Sequence, residues 1–224
     1  MSPVPVITID GPSGSGKGTL AERVAETLGW RLLDSGAIYR VLGHAVYLGG
    51  VELGNVDKIV EMALKLPVVF ARGKVFLGGE DVSLDIRTES AGNRASQVAA
   101  IPQVREALLA WQRDYAQLPG LVADGRDMGT VVFPRAEVKI FLTASVKERA
   151  LRRYKQLKEK GLSVNLADLT EEIKMRDERD SNRTAAPLAA AESAMRLDST
   201  ELDADEVYRR VMEKIQSSFP ELPH

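Results

Sequence analysis

Cysteine is absent from this 224-residue chain, and histidine occurs only twice. Without cysteine the chain has no disulfide bonds, thiolate metal sites or thiol nucleophiles, and two histidines leave little for a histidine-based metal site or triad. No apolar run reaches the roughly 18 residues of a membrane-spanning helix, and the first residues lack a basic segment followed by an apolar one. We therefore expect a soluble cytoplasmic protein without a membrane partner.

An excess of positive charge is also lacking. The 30 Lys and Arg residues are outnumbered by 32 Asp and Glu residues, so the formal charge is -2. Nucleic acid is therefore not an expected partner, although a local basic pocket remains possible. The length suits one large domain or one domain with an insert.

Strand and helix patterns alternate along most of the chain. Residues 4–10 are rich in β-branched residues and predict a buried strand, and Leu20, Val24 and Leu28 then recur at helical spacing up to a C-capping Gly29. The further predicted strands are 31–34, 121–124, 138–142 and 195–198. The further predicted helices are 102–117, 147–160, 168–183 and a closing helix that Asp203 caps. This alternation predicts an α/β fold with a parallel sheet flanked by helices.

The alternation is interrupted in the middle of the chain. A predicted helix over 55–66 is followed by short strand-like pieces at 68–70, 75–77 and 82–86, separated by turn sequences. We expect a small inserted αβ subdomain here.

A phosphate-binding loop (P-loop) lies between the first strand and the first helix. The sequence Gly-Pro-Ser-Gly-Ser-Gly-Lys-Gly-Thr at 11–19 has its glycines and lysine at the required spacing. Glycines let backbone N–H groups approach phosphate oxygens, the helix directs its positive N-terminus at the anion, and the lysine adds a mobile charge. The predicted ATP-binding residues are Gly11, Pro12, Ser13, Gly14, Ser15, Gly16, Lys17, Gly18 and Thr19.

The loop does not determine the reaction, because GTPases, motors, ligases and small-molecule kinases share it. The Asn-Lys-x-Asp and Asp-x-x-Gly motifs of guanine-nucleotide switches are not found. Gly18 stands where the general pattern has a Ser or Thr, which weakens the case for a direct Mg²⁺ contact from a loop hydroxyl.

Two clusters near predicted strand ends suit a second, polar ligand. Arg40 follows the strand at 31–34 and could hold a second phosphate, or it is a surface arginine on a helix that Ser35 caps. Asp124 ends an apolar strand and fits an acidic site for hydrated Mg²⁺, while Arg126 and Asp127 follow in a glycine-bounded turn. The alternative for this turn is a solvated loop with local ion pairs.

A third cluster lies in a predicted helix. Arg176, Arg179, Asp180 and Arg183 recur at i, i+3, i+4 and i+7, which places three guanidiniums and one carboxylate on one face. The alternative is an exposed helix with salt bridges, but stacked arginines repel one another unless anions neutralise them. Upstream, the sequence offers three further cations before a loop at Gly161 that suits a mobile lid: Arg149, Arg152 and Arg153.

Together these segments resemble the bacterial cytidylate kinases, in the nucleoside monophosphate kinase group. The resemblance rests on residues 9–19, 33–40, 95–100, 104–109, 123–134 and 176–183, which occur in the family's order through nearly the whole chain. It implies a single P-loop kinase domain over 1–224. The implied parts are a core (about 1–36, 96–148 and 184–224), a monophosphate-binding insert (about 37–95) and a lid (about 149–183).

The resemblance also implies transfer of the ATP γ-phosphoryl group to CMP or dCMP, by a monomer that uses Mg²⁺ with Asp124 as a ligand through water. The implied catalytic residues are Lys17, Arg126 and Arg179. The implied CMP-binding residues are Ser35, Arg105, Asp127 and Arg183 at the base, Ser96, Arg176 and Asp180 at the sugar, and Arg40 and Arg126 at the phosphate. The alternatives are a related P-loop kinase that uses UMP, AMP or shikimate, and a nucleotide-dependent switch without an acceptor.

Overall fold

The computed structural model describes residues 4–71, 73–159, 161 and 163–221. The strands are β1 (Val6–Asp10), β2 (Arg31–Asp34), β3 (Val68–Ala71), β4 (Lys74–Leu77), β5 (Glu80–Asp81), β6 (Leu121–Gly125), β7 (Val138–Thr143) and β8 (Met195–Asp198). The helices are α1 (Lys17–Leu28), α2 (Ser35–Leu48), α3 (Val56–Leu64), α4 (Glu89–Val98), α5 (Pro102–Asp114), α6 (Val146–Glu159), α7 (Leu166–Ser181) and α8 (Ala204–Ser218). A 3₁₀ turn (Asp85–Arg87) and a π-helical turn (Met128–Val132) complete the elements.

The chain divides into two units. The first comprises the chain up to Leu33 and from Tyr115 onward, and the second spans Asp34–Asp114. The predicted boundaries of the insert and the lid stay predictions, and residues 160 and 162 of the predicted lid loop lie outside the described residues.

A five-stranded parallel sheet, in the order β2-β6-β1-β7-β8, forms the centre of the first unit. β1 pairs with β6 on one side and with β7 on the other, and every residue of β1 is buried. Ile7 and Ile9 of β1 pack in one core cluster with Val122 and Ile140 of the neighbouring strands. A central strand covered on both faces is largely apolar, and three of the five residues of β1 are Val or Ile. The predicted α/β fold is confirmed.

The ends of two helices follow from single residues. Gly29 ends α1 in the left-handed conformation (φ 63°), where a residue without a Cβ is favoured, and the N–H of Trp30 donates to the Ala25 carbonyl at 3.0 Å. Asp203 caps α8 by accepting from the N–H of Glu206 at 2.8 Å. Both predicted ends are confirmed.

The small sheet of the second unit differs from its prediction. β3, β4 and β5 form an antiparallel sheet in that order, but its third strand is Glu80–Asp81, so the predicted strand over 82–86 is wrong. Leu84 is 81% exposed, whereas Val82 and Ile86 are buried because a helical turn places residues four apart on one side.

The helix predicted over 168–183 is α7, which ends at Ser181, so Arg183 lies beyond it. The helix predicted over 102–117 is α5, which ends three residues earlier, at Asp114. Helix α4, rich in small and polar residues, was not predicted. Over the described ranges, no helix is both long enough and apolar enough to cross a membrane.

Candidate active site

The P-loop connects the buried strand β1 to the N-terminus of α1. At Gly11 the loop passes so close to β7 that an added Cβ would lie 2.0 Å from the carbonyl oxygen of Leu142. Gly16 occupies the left-handed conformation (φ 92°) directly before the first helical residue, Lys17. These glycines let the chain turn sharply and direct backbone N–H groups toward an anion at the helix N-terminus. The predicted strand–loop–helix arrangement is present.

The Lys17 side chain lies within the loop. It is largely buried, its Nζ donates to the carbonyl of Pro12 at 3.2 Å, and Nζ lies 4.0 Å from Oδ1 of Asp124. Asp124 is near the end of β6, the strand next to β1, and its Oδ2 would lie 3.4 Å from a Cβ added at Gly18. The structure therefore brings the predicted lysine and the predicted metal-site carboxylate together at the start of α1.

Asp10, the last residue of β1, joins the P-loop strand to the segment after β6. Its Oδ1 accepts from the N–H of Met128 and its Oδ2 from the N–H of Gly129, each at 2.8 Å. Burial raises the pKa of Asp10 from 3.8 to about 7, and the charges of Asp127 and Asp124 also raise it, against the two N–H bonds. The protonated form therefore stabilises the fold, fully below pH 3.8, and this contribution is lost as the pH rises through about 7.

Asp180 is the centre of an ionic cluster in the same unit. It is 1% exposed, accepts from Nε of Arg126 at 3.0 Å and forms an ion pair with Arg183. Burial alone would raise the pKa of Asp180, but the charges of Arg126, Arg183 and Arg176 outweigh it and hold the pKa below its ordinary value. The exposed-helix alternative therefore does not describe this cluster, although Arg183 reaches it from beyond α7.

Two more residues predicted for the site flank this cluster in sequence. Asp127, which follows Arg126, is 2% exposed. Arg179, one residue before Asp180 on α7, is half-buried, and its Nη1 has no hydrogen-bond partner among the described residues.

Arg149, one of the predicted lid arginines, is fixed in place. It is 3% exposed and pairs through both terminal nitrogens with the carboxylate of Asp177 on α7. The same guanidinium donates to the carbonyls of Ser13 in the P-loop and Ala144, each at 2.9 Å. In this conformation Arg149 connects the P-loop to α7.

The other two lid candidates, Arg152 and Arg153, make different contacts from Arg149. Arg152 pairs with Glu148 at 2.9 Å and donates to the carbonyl of Ser199 at 2.6 Å. Arg153 contacts Gln156 at 3.4 Å on the surface of α6.

A cavity of about 460 Å³ opens beside the P-loop. Its lining includes Gly16 and Thr19 from the loop, Arg152 from α6, and Ser199 and Leu202 from the segment after β8. The cavity combines apolar surface with a few polar groups, which is typical of small-molecule sites.

The remaining predicted residues lie in the second unit. Ser35 is the first residue of α2 and is buried, but Asp34 caps this helix, by accepting from the N–H of Ala37 at 2.9 Å. Arg40 is half-buried on α2 and Ser96 is buried on α4. Arg105 on α5 lies over the Tyr39 ring, with its guanidinium carbon 5.5 Å from the ring centroid.

Three residues of the site were missed by the sequence analysis. Asp10 carried a usable signal, since a carboxylate at the end of an apolar strand is the pattern that singled out Asp124. Asp177 lies in a run of mixed charges and Ser199 in a polar loop, so nothing local marks either residue.

Comparison with known proteins supports one family. Residues 7–217 match the cytidylate kinase family. A cytidylate kinase of Aeromonas salmonicida (strain A449) is 60% identical over 212 residues, which cover 93% of this chain and 92% of that protein. A cytidylate kinase of Pseudomonas fluorescens (strain Pf0-1) is 57% identical over 217 residues, 94% of this chain and 95% of that protein.

Among solved structures, an uncharacterized protein from Eubacterium ventriosum ATCC 27560 has a TM-score of 0.51 at 13% identity, covering 95% of this chain and 98% of that one. This likeness concerns the fold alone. With a P-loop, an adjacent carboxylate and a family match over nearly its whole length, the chain belongs to the cytidylate kinase family and is an ATP-dependent nucleoside monophosphate kinase.

Proposed function

We propose that this enzyme transfers the γ-phosphoryl group of ATP to CMP or dCMP, giving ADP and CDP or dCDP. The observation that carries the proposal is the arginine cluster around Asp180, which lies in the same unit as the P-loop. Clustered guanidiniums are the side-chain chemistry that binds a phosphate dianion. The relatives' name, cytidylate kinase, supports CMP as the acceptor.

The acceptor needs little chemical activation. The second pKa of a phosphate monoester is about 6, so the monophosphate is mostly a dianion at neutral pH and attacks without a general base. The enzyme's task is to align two anionic substrates and to offset negative charge as the phosphoryl group moves. The P-loop amides and Lys17 supply positive potential on the donor side, and Arg126 and Arg179 are proposed to supply it on the transferring group.

Mg²⁺ is proposed to accompany ATP. The carboxylate of Asp124 is a hard oxygen ligand beside the P-loop, 4.0 Å from Nζ of Lys17, and it suits this ion. The described residues contain no group of three or more His, Cys, Asp and Glu side chains that could hold a metal, in keeping with a Mg²⁺ that retains most of its water. The ion neutralises phosphate charge when it is bound. Asp124 would hold it through water.

The cavity beside the P-loop is proposed to receive the adenosine part of ATP. Thr19, the last residue of the P-loop, lies in the first turn of α1 and lines the cavity. A triphosphate bound along the loop would therefore lead into the cavity. The Leu202 side chain and the guanidinium of Arg152 offer apolar and cationic surfaces for a base. Its volume of about 460 Å³ suits a ligand of this size.

Asp127 is the proposed reader of the base. The cytosine 4-amino group is a donor and needs an acceptor, whereas the same position of uracil carries an oxygen, which a carboxylate repels. The roles of Arg176, Asp180 and Arg183 in the first unit follow the family resemblance and stay predictions. The same holds for the second-unit residues Ser35, Arg40, Ser96 and Arg105.

A panel of acceptors tests the proposal. With ATP and Mg²⁺, coupled assays should give the highest kcat/KM for CMP or dCMP, compared with UMP, AMP and shikimate. Replacing Asp127 by alanine should lower kcat/KM for CMP by about 100-fold, the worth of a hydrogen bond to a charged group, and should raise the value for UMP, because the repulsion of the uracil oxygen is removed.

The control for this variant is Asp57→Ala, which removes an exposed carboxylate from the first turn of α3. This control should leave kcat/KM unchanged for both CMP and UMP. A preference of the wild-type enzyme for AMP, or ATP hydrolysis that CMP does not affect, would contradict the proposed function. Equal losses for CMP and UMP in Asp127→Ala would show that Asp127 does not read the base.

The Ser15 hydroxyl should contribute nothing to ATP binding. Its Oγ is buried and has no hydrogen-bond partner within the described residues. We propose that the loop holds phosphate through backbone N–H groups, for which this hydroxyl is not needed. We expect Ser15→Ala to keep turnover within about twofold and to leave the free energy of unfolding unchanged or higher by about 1 kcal/mol or less, since an unpaired buried hydroxyl is removed. Steady-state kinetics and urea unfolding check both. A tenfold loss of turnover would assign the hydroxyl a role.

A further inference from the structure

Asp10 lies between the P-loop and the segment that follows Arg126 and Asp127. It directly precedes Gly11 of the P-loop, and both of its carboxylate oxygens accept from backbone N–H groups of Met128 and Gly129. These residues begin the π-helical turn that follows Asp127. One buried carboxylate therefore connects the strand that carries the donor loop to the segment that carries the proposed base reader.

The segment that begins with Met128 and Gly129 also packs very closely against β1. A Cβ added to Gly129 would lie 2.8 Å from Oγ1 of Thr8 on β1 and 3.3 Å from Oδ2 of Asp10. Only a glycine lets the backbone approach β1 this closely. The position of Asp127 is thus set by two adjoining backbone N–H groups that a single side chain holds.

We infer that Asp10 is a positioning residue for acceptor recognition, which holds the Arg126–Asp127 segment in the register that the base and phosphate of the acceptor require. This inference rests on the proposed function. Asp10 acts through other residues, because both of its carboxylate oxygens face backbone N–H donors. A carboxyl group is needed because two N–H donors point at it and each of its oxygens can accept one of them, whereas an amide has only one acceptor oxygen.

Asp10→Asn is the test, since asparagine has the same shape but turns one acceptor into an NH₂ donor that faces an N–H group. We expect kcat/KM for CMP to fall by about 30-fold, in line with small displacements of positioned groups. The KM for ATP should stay within about twofold, because the P-loop amides are unchanged. The ratio of kcat/KM for CMP to that for UMP should fall by about tenfold, a change that general loss of structure does not produce.

Asp198→Asn is the matched control, because Asp198 also ends a strand of the sheet and accepts a backbone N–H, that of Thr200, at 2.9 Å. It should leave all three quantities unchanged. Should Asp10→Asn fail to fold, Gly129→Ala, whose added Cβ would push the same segment away from Thr8 and Asp10, should give the same selective loss.

The outcomes separate the two ideas. The acceptor preference of the wild-type enzyme decides the proposed function. The role of Asp10 is decided by comparing kcat/KM of Asp10→Asn with that of the wild type, for whichever acceptor nucleotide the wild type prefers. Unchanged acceptor kinetics in Asp10→Asn would overturn the inference, and so would an equal rise in the KM values of ATP and the acceptor, since Asp10 would then support the P-loop.

Discussion

Replacement of Lys17 by methionine is expected to lower kcat by about 10³-fold or more while the protein stays folded, as loss of a charge that stabilises phosphoryl transfer does in related chemistry. Methionine keeps the apolar stem and removes the ammonium group. The Lys17 side chain is only 10% exposed, so its stem packs and its charge acts in a site with little water.

The expectation follows from where the ammonium lies. Nζ is held by the Pro12 carbonyl at 3.2 Å, inside the loop that turns from β1 into α1. Such a charge stabilises the transferring phosphoryl group more than the bound ATP, so its loss should affect kcat more than KM. Lys17→Arg should also lose most activity, because a planar guanidinium does not fit a site built for a compact ammonium.

Coupled assays measure the loss, and thermal unfolding shows whether the fold persists. Lys147→Met, on the exposed first turn of α6, is the control and should retain full activity. If Lys17→Met kept more than a tenth of wild-type kcat, the ammonium would not be part of the catalytic machinery.

The features that the sequence predicted well are local ones. The P-loop spacing, Gly29 after α1 and Asp203 before α8 each depend on a few consecutive residues whose backbone demands are specific. The strands β1 and β6 could also be predicted from the sequence, since a strand covered on both faces is largely apolar and each of these begins with a run of mostly apolar residues.

The features that the sequence analysis missed depend on distant partners. The hydrogen bonds of Asp10 to Met128 and Gly129 join residues more than a hundred positions apart. The role of Arg149 in a lid stays a prediction, but its contacts with Ser13 and Asp177 were not predicted, because both partners are far away in the sequence. The strand predicted at 82–86 was wrong for a related reason, because packing within the second unit favours a helical turn there.

Replacement of Asp180 is expected to have the second large effect, on stability. Replacing it by alanine should lower the free energy of unfolding by about 3 kcal/mol, because two guanidiniums lose the buried carboxylate that compensates them. The side chains of Arg126 and Arg183 are only 15% and 4% exposed, so water replaces this carboxylate poorly. The pKa of Asp180 lies below its ordinary value, so its stabilising contribution is full above pH 3.8 and is lost as the pH falls through the folded-state pKa.

Asp180→Ala should also lower kcat/KM for CMP, by more than the loss of stability alone would cause. Arg126 donates to Asp180 through Nε and is the proposed phosphate contact, so its release should lower kcat/KM for CMP by about 100-fold. Asp180→Asn keeps one acceptor oxygen and should fall between wild type and alanine in both measurements.

Urea unfolding at pH 7 and at pH 3, together with acceptor kinetics at 25 °C below the unfolding transition, checks both effects. Glu61→Ala is the matched control, since Glu61 also lies between two cations, Lys58 and Lys65, but is exposed. Exposed ion pairs contribute little, so this control should change neither stability nor activity measurably. If Asp180→Ala were as stable and as active as Glu61→Ala, the arginines around Asp180 would not depend on it, and the cluster would lose its proposed role in acceptor binding.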